Sequence, residues 1–331
     1  MMKIKMILMA FALFSVNANA QSKRLFSTGF ENGVKVVPDE KEVGQLGLFK
    51  GKDTTKPKPN DWGEIKPGSD LVRAYVFYEG GDESMRYARV ETDPINSANH
   101  VLHFWVNQAN AMNGQKARVQ TTFHRDQNKG LKVLSFSVRL FIHPDMKLLE
   151  QFPGSIGASH WINQTQWVSI MEFWNQTGQT SDYKFRTTLA LEKAEGAGNP
   201  IYLSLQGDDT YGKNTFNTLW FQKSKMSLPY GKWMTFKVYL KEGDANTGRA
   251  RIELAIDGGK SKTLFDVKGY THSRGDTHPD GFTDFTPMKL YAGKAVTDFV
   301  RSKGGALQLY WDDLSITDPL GLLSYVHTST E

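Results

Sequence analysis

The chain has 331 residues, with 40 Lys and Arg against 35 Asp and Glu and no cysteine. A formal charge of +5 is too small a surplus to point to nucleic acid, and without cysteine no disulfide scaffold or thiolate metal site can hold the fold. Aromatic residues make up 12% of the chain, with eight Trp and twelve Tyr, enough to line a ring-stacking surface as well as a core.

In chain order, residues 1–20 read as a leader and not as part of the fold. Lys3 and Lys5 form a positive start, Ile7 to Val16 is a short apolar run, and Ala18-Asn19-Ala20 supplies a small-x-small cleavage pattern. The run is too short for a permanent membrane span. The expected location is therefore secreted or periplasmic, in a bacterium. Residues 21–331 read as a single domain. Within it Lys50 to Pro67, with Lys56-Pro57-Lys58-Pro59, reads as a long surface loop.

Beyond that loop the chain alternates with period two, the mark of half-buried strands. Val101 to Asn107 sets Leu102, Phe104 and Val106 against His103 and Trp105. Lys116 to Arg125 puts Arg118, Gln120, Thr122 and His124 on one face. Lys132 to Ile142 sets five apolar residues from Leu134 to Ile142 against Ser135, Ser137 and Arg139. Asp145 to Phe152 predicts a short helix after Pro144. Trp167 to Asn175 is a strand, and Tyr183 to Leu191 sends Lys184 and Arg186 to the same face. Trp233 to Lys241 and Arg249 to Asp257 alternate cleanly, and Asp257-Gly258-Gly259 predicts a hairpin turn. Ala295 to Ser302 predicts a second short helix, and Leu307 to Ile316 a last strand. Many strands, little helix and no repeat predict an all-β, two-sheet antiparallel sandwich of the jelly-roll kind.

Three passages carry a family resemblance. They are Leu25-Phe26-Ser27-Thr28-Gly29-Phe30-Glu31-Asn32-Gly33, the pair Tyr230 to Val238 with Gly248 to Leu254, and Leu309-Tyr310-Trp311-Asp312-Asp313-Leu314-Ser315-Ile316. The chain resembles the concanavalin A-like lectin/glucanase jelly rolls, and among them the secreted polysaccharide lyases of the heparin-lyase and alginate-lyase type. Two family patterns are missing. The Gln-x-His of the alginate lyases is absent, and the strand from Ser169 to Asn175 carries Glu172 and Asn175 instead. The glucanase pattern Glu-x-Asp-x-x-Glu is also absent.

The resemblance implies β-elimination on a uronic-acid polymer. That reaction needs a base, an acid for the leaving oxygen, and cations or donors at the sugar carboxylate. His124 and Tyr291 are the candidate proton carriers. Tyr291 is singled out because Tyr291-Ala292-Gly293-Lys294 resembles a late-strand Tyr/Lys pair of such lyases, which would place Lys294 at the carboxylate. Glu172 in its aromatic strand is a candidate acid or base with a raised pKa, or else half of a structural ion pair. Candidate substrate-binding residues are Arg118, Gln120, Arg139, Asn175, Lys184 and Arg186, with Trp105 and Trp174 as stacking platforms. The plain alternative for Arg139 is a surface ion pair, and for the Lys116 to Arg125 face and for Lys184 with Arg186 an ordinary solvated polar face. No cofactor is expected for catalysis. The resemblance implies one structural calcium where first and last strands meet, with Glu31 and Asp312 as ligands; calcium wants further oxygens.

The expected partner is an anionic polysaccharide, taken by a monomer with no nucleic acid and no stable membrane insertion. Two other readings stay open: a non-catalytic carbohydrate-binding module of the same fold, and a glycoside hydrolase using Glu172.

Overall fold

The computed structural model describes residues 22–54, 60–110, 116–126, 129–157, 166–176, 183–210 and 216–319; the expected leader lies outside them. The alternating segments form strands because each can bury one face and wet the other. In chain order these are β1 (Lys23–Thr28), β2 (Lys35–Pro38), β3 (Leu46–Lys50), β4 (Arg73–Phe77), β5 (Arg86–Asp93) and β6 (Asn96–Val106). Then come β7 (Lys116–His124), β8 (Val133–Ile142), β9 (Val168–Gln176), β10 (Lys184–Glu192), β11 (Tyr202–Thr210) and β12 (Phe216–Ser227). The last are β13 (Trp233–Lys241), β14 (Arg249–Ile256), β15 (Lys262–Lys268), β16 (Phe282–Gly293), the helix α1 (Lys294–Ser302) and β17 (Leu307–Asp318).

They assemble into two antiparallel sheets. One has nine strands in the order β12-β11-β10-β9-β16-β7-β4-β3-β2. The other has eight, β15-β14-β13-β8-β17-β6-β5, with β1 pairing the far half of β17. This is the sandwich the alternation predicts. The inner faces carry the core: Val119 and Phe123 from one sheet face Phe136, Val138 and Leu140 from the other, all buried. Phe136 and Phe173, on β8 and β9, meet with ring centroids 5.3 Å apart. Truncating such a ring to Ala costs about 3–5 kcal/mol.

Local chemistry fixes the connections. Asp257 and Gly258 both have positive φ (48° and 71°), as the two central residues of a type I′ turn do, and the turn closes with the Gly259 amide donating to the Ile256 carbonyl at 2.9 Å. Gly207 on β11 leaves room for Trp220, since a Cβ there would lie 2.2 Å from the indole. The segment after Pro144 forms a 3-10 helix, Pro144–Gln151, with His143 Nδ1 accepting from the Asp145 amide at 3.2 Å. The expected surface loop 50–67 is not all surface: Trp62 is buried and stacks on Phe49 at 3.9 Å. Residues 55–59 of that loop lie outside the described residues.

One buried cation ties two loops together. Lys193, 1% exposed, donates its ammonium to four backbone carbonyls. They belong to Phe152 (2.7 Å), Gly154 (3.1 Å), Ala194 (3.0 Å) and Gly196 (2.7 Å). No described helix is long and apolar enough to cross a membrane.

Candidate functional site

The outer face of the nine-stranded sheet is polar across its width. On β7 the inward residues Ala117, Val119, Thr121 and Phe123 alternate with outward Arg118, Gln120, Thr122 and His124. The register carries that parity sideways. His124 pairs with Asp284 of β16, which pairs with Trp174 of β9, which pairs with Arg186 of β10, which pairs with Asp208 of β11. On the other side His124 pairs with Arg73 of β4. Arg118, Gln120, His124, Glu172, Trp174, Lys184, Arg186 and Tyr291 therefore share one face.

At one end of this face lies a proton-carrying row. His124 Nδ1 is hydrogen-bonded to the Asp284 carboxylate, and its Nε2 lies 3.1 Å from the Tyr75 hydroxyl. An ionised Asp284 fixes the ring proton on Nδ1, which leaves Nε2 to accept from the phenol. Asp284 also accepts from the Gln176 amide. Tyr75 stacks on His124 with ring centroids 5.3 Å apart, and the Arg73 guanidinium lies over the Tyr75 ring at 4.5 Å. Burial raises the Tyr75 pKa, against the pull of Arg73, so the phenol keeps its proton at neutral pH. Lys184 stands across from Gln176. Beside them Arg186 lies over the rings of Phe216 (4.3 Å) and Trp174 (5.6 Å).

Beneath the middle of the face runs a buried ionic network. Glu172 accepts from Lys289 Nζ at 2.8 Å and from Trp174 Nε1 at 2.9 Å, and Arg186 stands 3.8 Å away. Arg186 also binds Asp208, with Nη2 at 2.7 Å. Burial alone would raise the Glu172 pKa, but Lys289 and Arg186 outweigh it and hold the carboxyl at about 2. Burial pulls Lys289 down to about 8 against the Glu172 charge, so both remain ionised at neutral pH. This corrects the expectation of a raised Glu172. A carboxylate this acidic and this fully paired is a poor proton donor. The raised carboxyl on this face is Glu192, pushed up to about 7 by burial. It sits four residues along β10 from Thr188, the cross-strand partner of Glu172. That is roughly 13 Å at 3.3 Å per residue, too far for the paired carboxylates of a glycosidase, which stand about 5–9.5 Å apart.

The opposite end of the face belongs to Tyr291. Arg118 lies 4.1 Å over its ring, Lys289 4.9 Å from it, and Trp167 meets it edge-on at 5.4 Å. Arg118 is paired with Glu79 at 2.9 Å. Tyr291 is the partner of Arg118, six residues along β7 from His124, or roughly 20 Å. His124 and Tyr291 thus stand too far apart to act on one bond.

Other sequence candidates sit elsewhere. Arg139 and Trp105 lie on the outer face of the eight-stranded sheet, the far side of the molecule. Arg139 pairs with Asp312 (3.1 Å) and Asp313 (3.4 Å) and covers the Trp233 ring at 4.5 Å; Trp105 stacks on Tyr87 at 5.1 Å. Alternation assigned their parity correctly but could not say which sheet each strand joins. Asn175 is 1% exposed, has the inward parity of Phe173, and donates to Glu242 at 2.7 Å. Lys294 opens α1 and pairs with Asp298 one turn on. Tyr75, Asp284, Gln176 and Lys289 were missed by sequence reasoning; Tyr75 and Asp284 are cross-strand neighbours of β7, and Lys289 follows Pro287 and a register shift that breaks the alternation of β16.

For calcium, Glu31 Oε2 lies 3.3 Å from the His100 amide nitrogen and 3.5 Å from its Nδ1. Asp312 accepts from Asn99 and Arg139. Burial, with Asp313 beside it, raises the Asp312 pKa to about 7. A guanidinium on the same carboxylate oxygen competes with a cation, so this donor set does not fit a calcium cage. Among the described residues no three His, Asp or Glu side chains gather to hold a metal.

No family model matches the chain, and no curated protein matches it. Solved structures do. An alginate lyase from Aplysia kurodai is 9% identical, with a TM-score of 0.46 over 77% of this chain and 91% of that one. A β-1,4-glucuronan lyase from Trichoderma reesei is 11% identical, with a TM-score of 0.39 over 70% and 86%. The catalytic domain of a glycoside hydrolase family 131 protein from Coprinopsis cinerea is 12% identical, with a TM-score of 0.40 over 74% and 83%. At these values the likeness decides neither chemistry nor substrate.

Proposed function

We propose that the chain is a polysaccharide lyase that cleaves an anionic, uronic-acid-containing glycan by β-elimination on the polar face of the nine-stranded sheet. The observation that supports this reading most directly is the hydrogen-bonded row Asp284–His124–Tyr75 with the Arg73 guanidinium over the Tyr75 ring. The row supplies a base and an acid within reach of each other. Arg73 would neutralise a sugar carboxylate, which acidifies the adjacent C–H.

In the proposed reaction His124 Nε2 takes the proton from the carbon beside the carboxylate. The released electron pair forms the ring double bond and expels the glycosidic oxygen, which takes the Tyr75 proton. The Tyr75 phenolate is then reprotonated by His124, and the cycle closes without a net proton change. Asp284 stabilises the transient imidazolium and fixes its tautomer. Trp174 and Phe216 offer stacking faces next to this row, and Arg118 with Tyr291 extends the binding face toward its far end.

The test is a panel of polyuronates, alginate and glucuronan among them, followed by the ultraviolet absorbance of the unsaturated uronate. A rise in absorbance that is lost in His124→Ala is expected. New reducing ends without absorbance would make the chain a hydrolase, and retention on an immobilised glycan without product would make it a binding module.

A further inference from the structure

The free edges of the two sheets come together at one end of the molecule and part farther along. They are joined where Trp220 Nε1, on β12, donates to the Tyr270 carbonyl at 2.8 Å, just past the end of β15. Farther along β12 the edges diverge around a recess of about 820 Å³ between β12 and the β14–β15 hairpin. Its apolar wall is aliphatic: Met226, Leu254, Ile256 and Leu264. Its remaining lining includes Lys223, Lys225, Lys260 and Lys262, and holds no acidic residue and no aromatic ring. Lys223 leans over Tyr202 at 5.1 Å and sits in the field of Glu192. Lysines on edge strands also discourage unwanted strand pairing, but that role needs no recess behind them.

Each property of the recess selects its occupant. Sugar rings favour aromatic faces and acidic acceptors, and this wall offers neither. An aliphatic wall favours a hydrocarbon chain, and Lys225, Lys260 and Lys262 favour a negative head. The volume falls within the ordinary range of small-molecule sites. We propose that this recess binds a long-chain aliphatic carboxylate, with its tail against Leu254, Ile256, Leu264 and Met226 and its head among the lysines. The recess lies at the β12 edge of the nine-stranded sheet, where Lys223 adjoins the polar face beside Glu192, and its occupancy does not depend on the reaction assigned to the His124 row.

The test is calorimetric titration of the full chain with sodium dodecanoate below its micelle concentration. Saturable one-to-one binding is expected. Decanoate should bind about tenfold more weakly, since two methylenes are lost from an apolar wall. Neutral dodecyl maltoside and cationic dodecyltrimethylammonium should bind at least tenfold more weakly than dodecanoate. The double variant Lys225→Glu/Lys262→Glu carries only exposed changes and should keep its circular dichroism spectrum while losing at least tenfold in affinity. Ile256→Asp should lose the chain-length dependence. No saturable binding, equal binding of the cationic detergent, or unchanged affinity in the lysine variant would overturn the proposal. So would binding to phosphatidylglycerol vesicles without binding of free dodecanoate, which would make the recess a membrane contact.

Discussion

Glu172→Gln removes the one carboxylate among the described residues that pairs with Lys289, which is itself 1% exposed. Holding a carboxyl at about 2 instead of 4.5 corresponds to about 3 kcal/mol at 1.36 kcal/mol per tenfold step, which agrees with the cost of breaking a buried ion pair. The orphaned ammonium can shed its proton, which caps the loss. Because the folded-state value is depressed, this stabilisation is full above pH 4.5 and fades as pH falls toward 2. Urea unfolding of wild type and variant should therefore differ by about 3 kcal/mol at pH 7 and by roughly half that near pH 3. The mixed readout separates charge from packing, since Gln preserves shape. A difference below about 1 kcal/mol at pH 7, or one that stays constant down to pH 3, would refute the ionic account of this network.

Asp284→Asn should leave the fold intact and lower turnover on a cleaved polyuronate by about a hundredfold or more, because His124 loses the partner that fixes its tautomer; steady-state kinetics would show it. Tyr291→Phe should raise KM and spare kcat, as its hydroxyl lies far from the His124 row; equal losses in kcat would move the chemistry to that end. Lys193→Met should cost about 3–5 kcal/mol in denaturant unfolding, since four carbonyls lose a shared donor.

The strands were readable wherever alternation ran unbroken. Val133–Ile142, Trp233–Lys241 and Arg249–Ile256 fall where period-two patterning puts them, and the turn at Asp257-Gly258 follows from its residue types. The polar face of β7 and the shared side of Lys184 and Arg186 were also legible, because parity within a strand is local information. Sheet membership is not local. Arg139 and Trp105 have the outward parity expected of them, yet their strands belong to the other sheet. Strand β16 was opaque for a different reason: Pro287 and register shifts against both neighbouring strands scramble its alternation, so Lys289 gave no periodic sign of its place on the face. Tyr75 and Asp284 were hidden by distance, being 49 and 160 residues from His124 along the chain.

The ammonium of Lys193 sits where many proteins place a bound ion or a cystine. Being covalently part of the chain, it cannot be stripped by a chelator, diluted away or reduced. Two loops of a cysteine-free molecule are thereby pinned in a manner indifferent to redox conditions and to the surrounding salt.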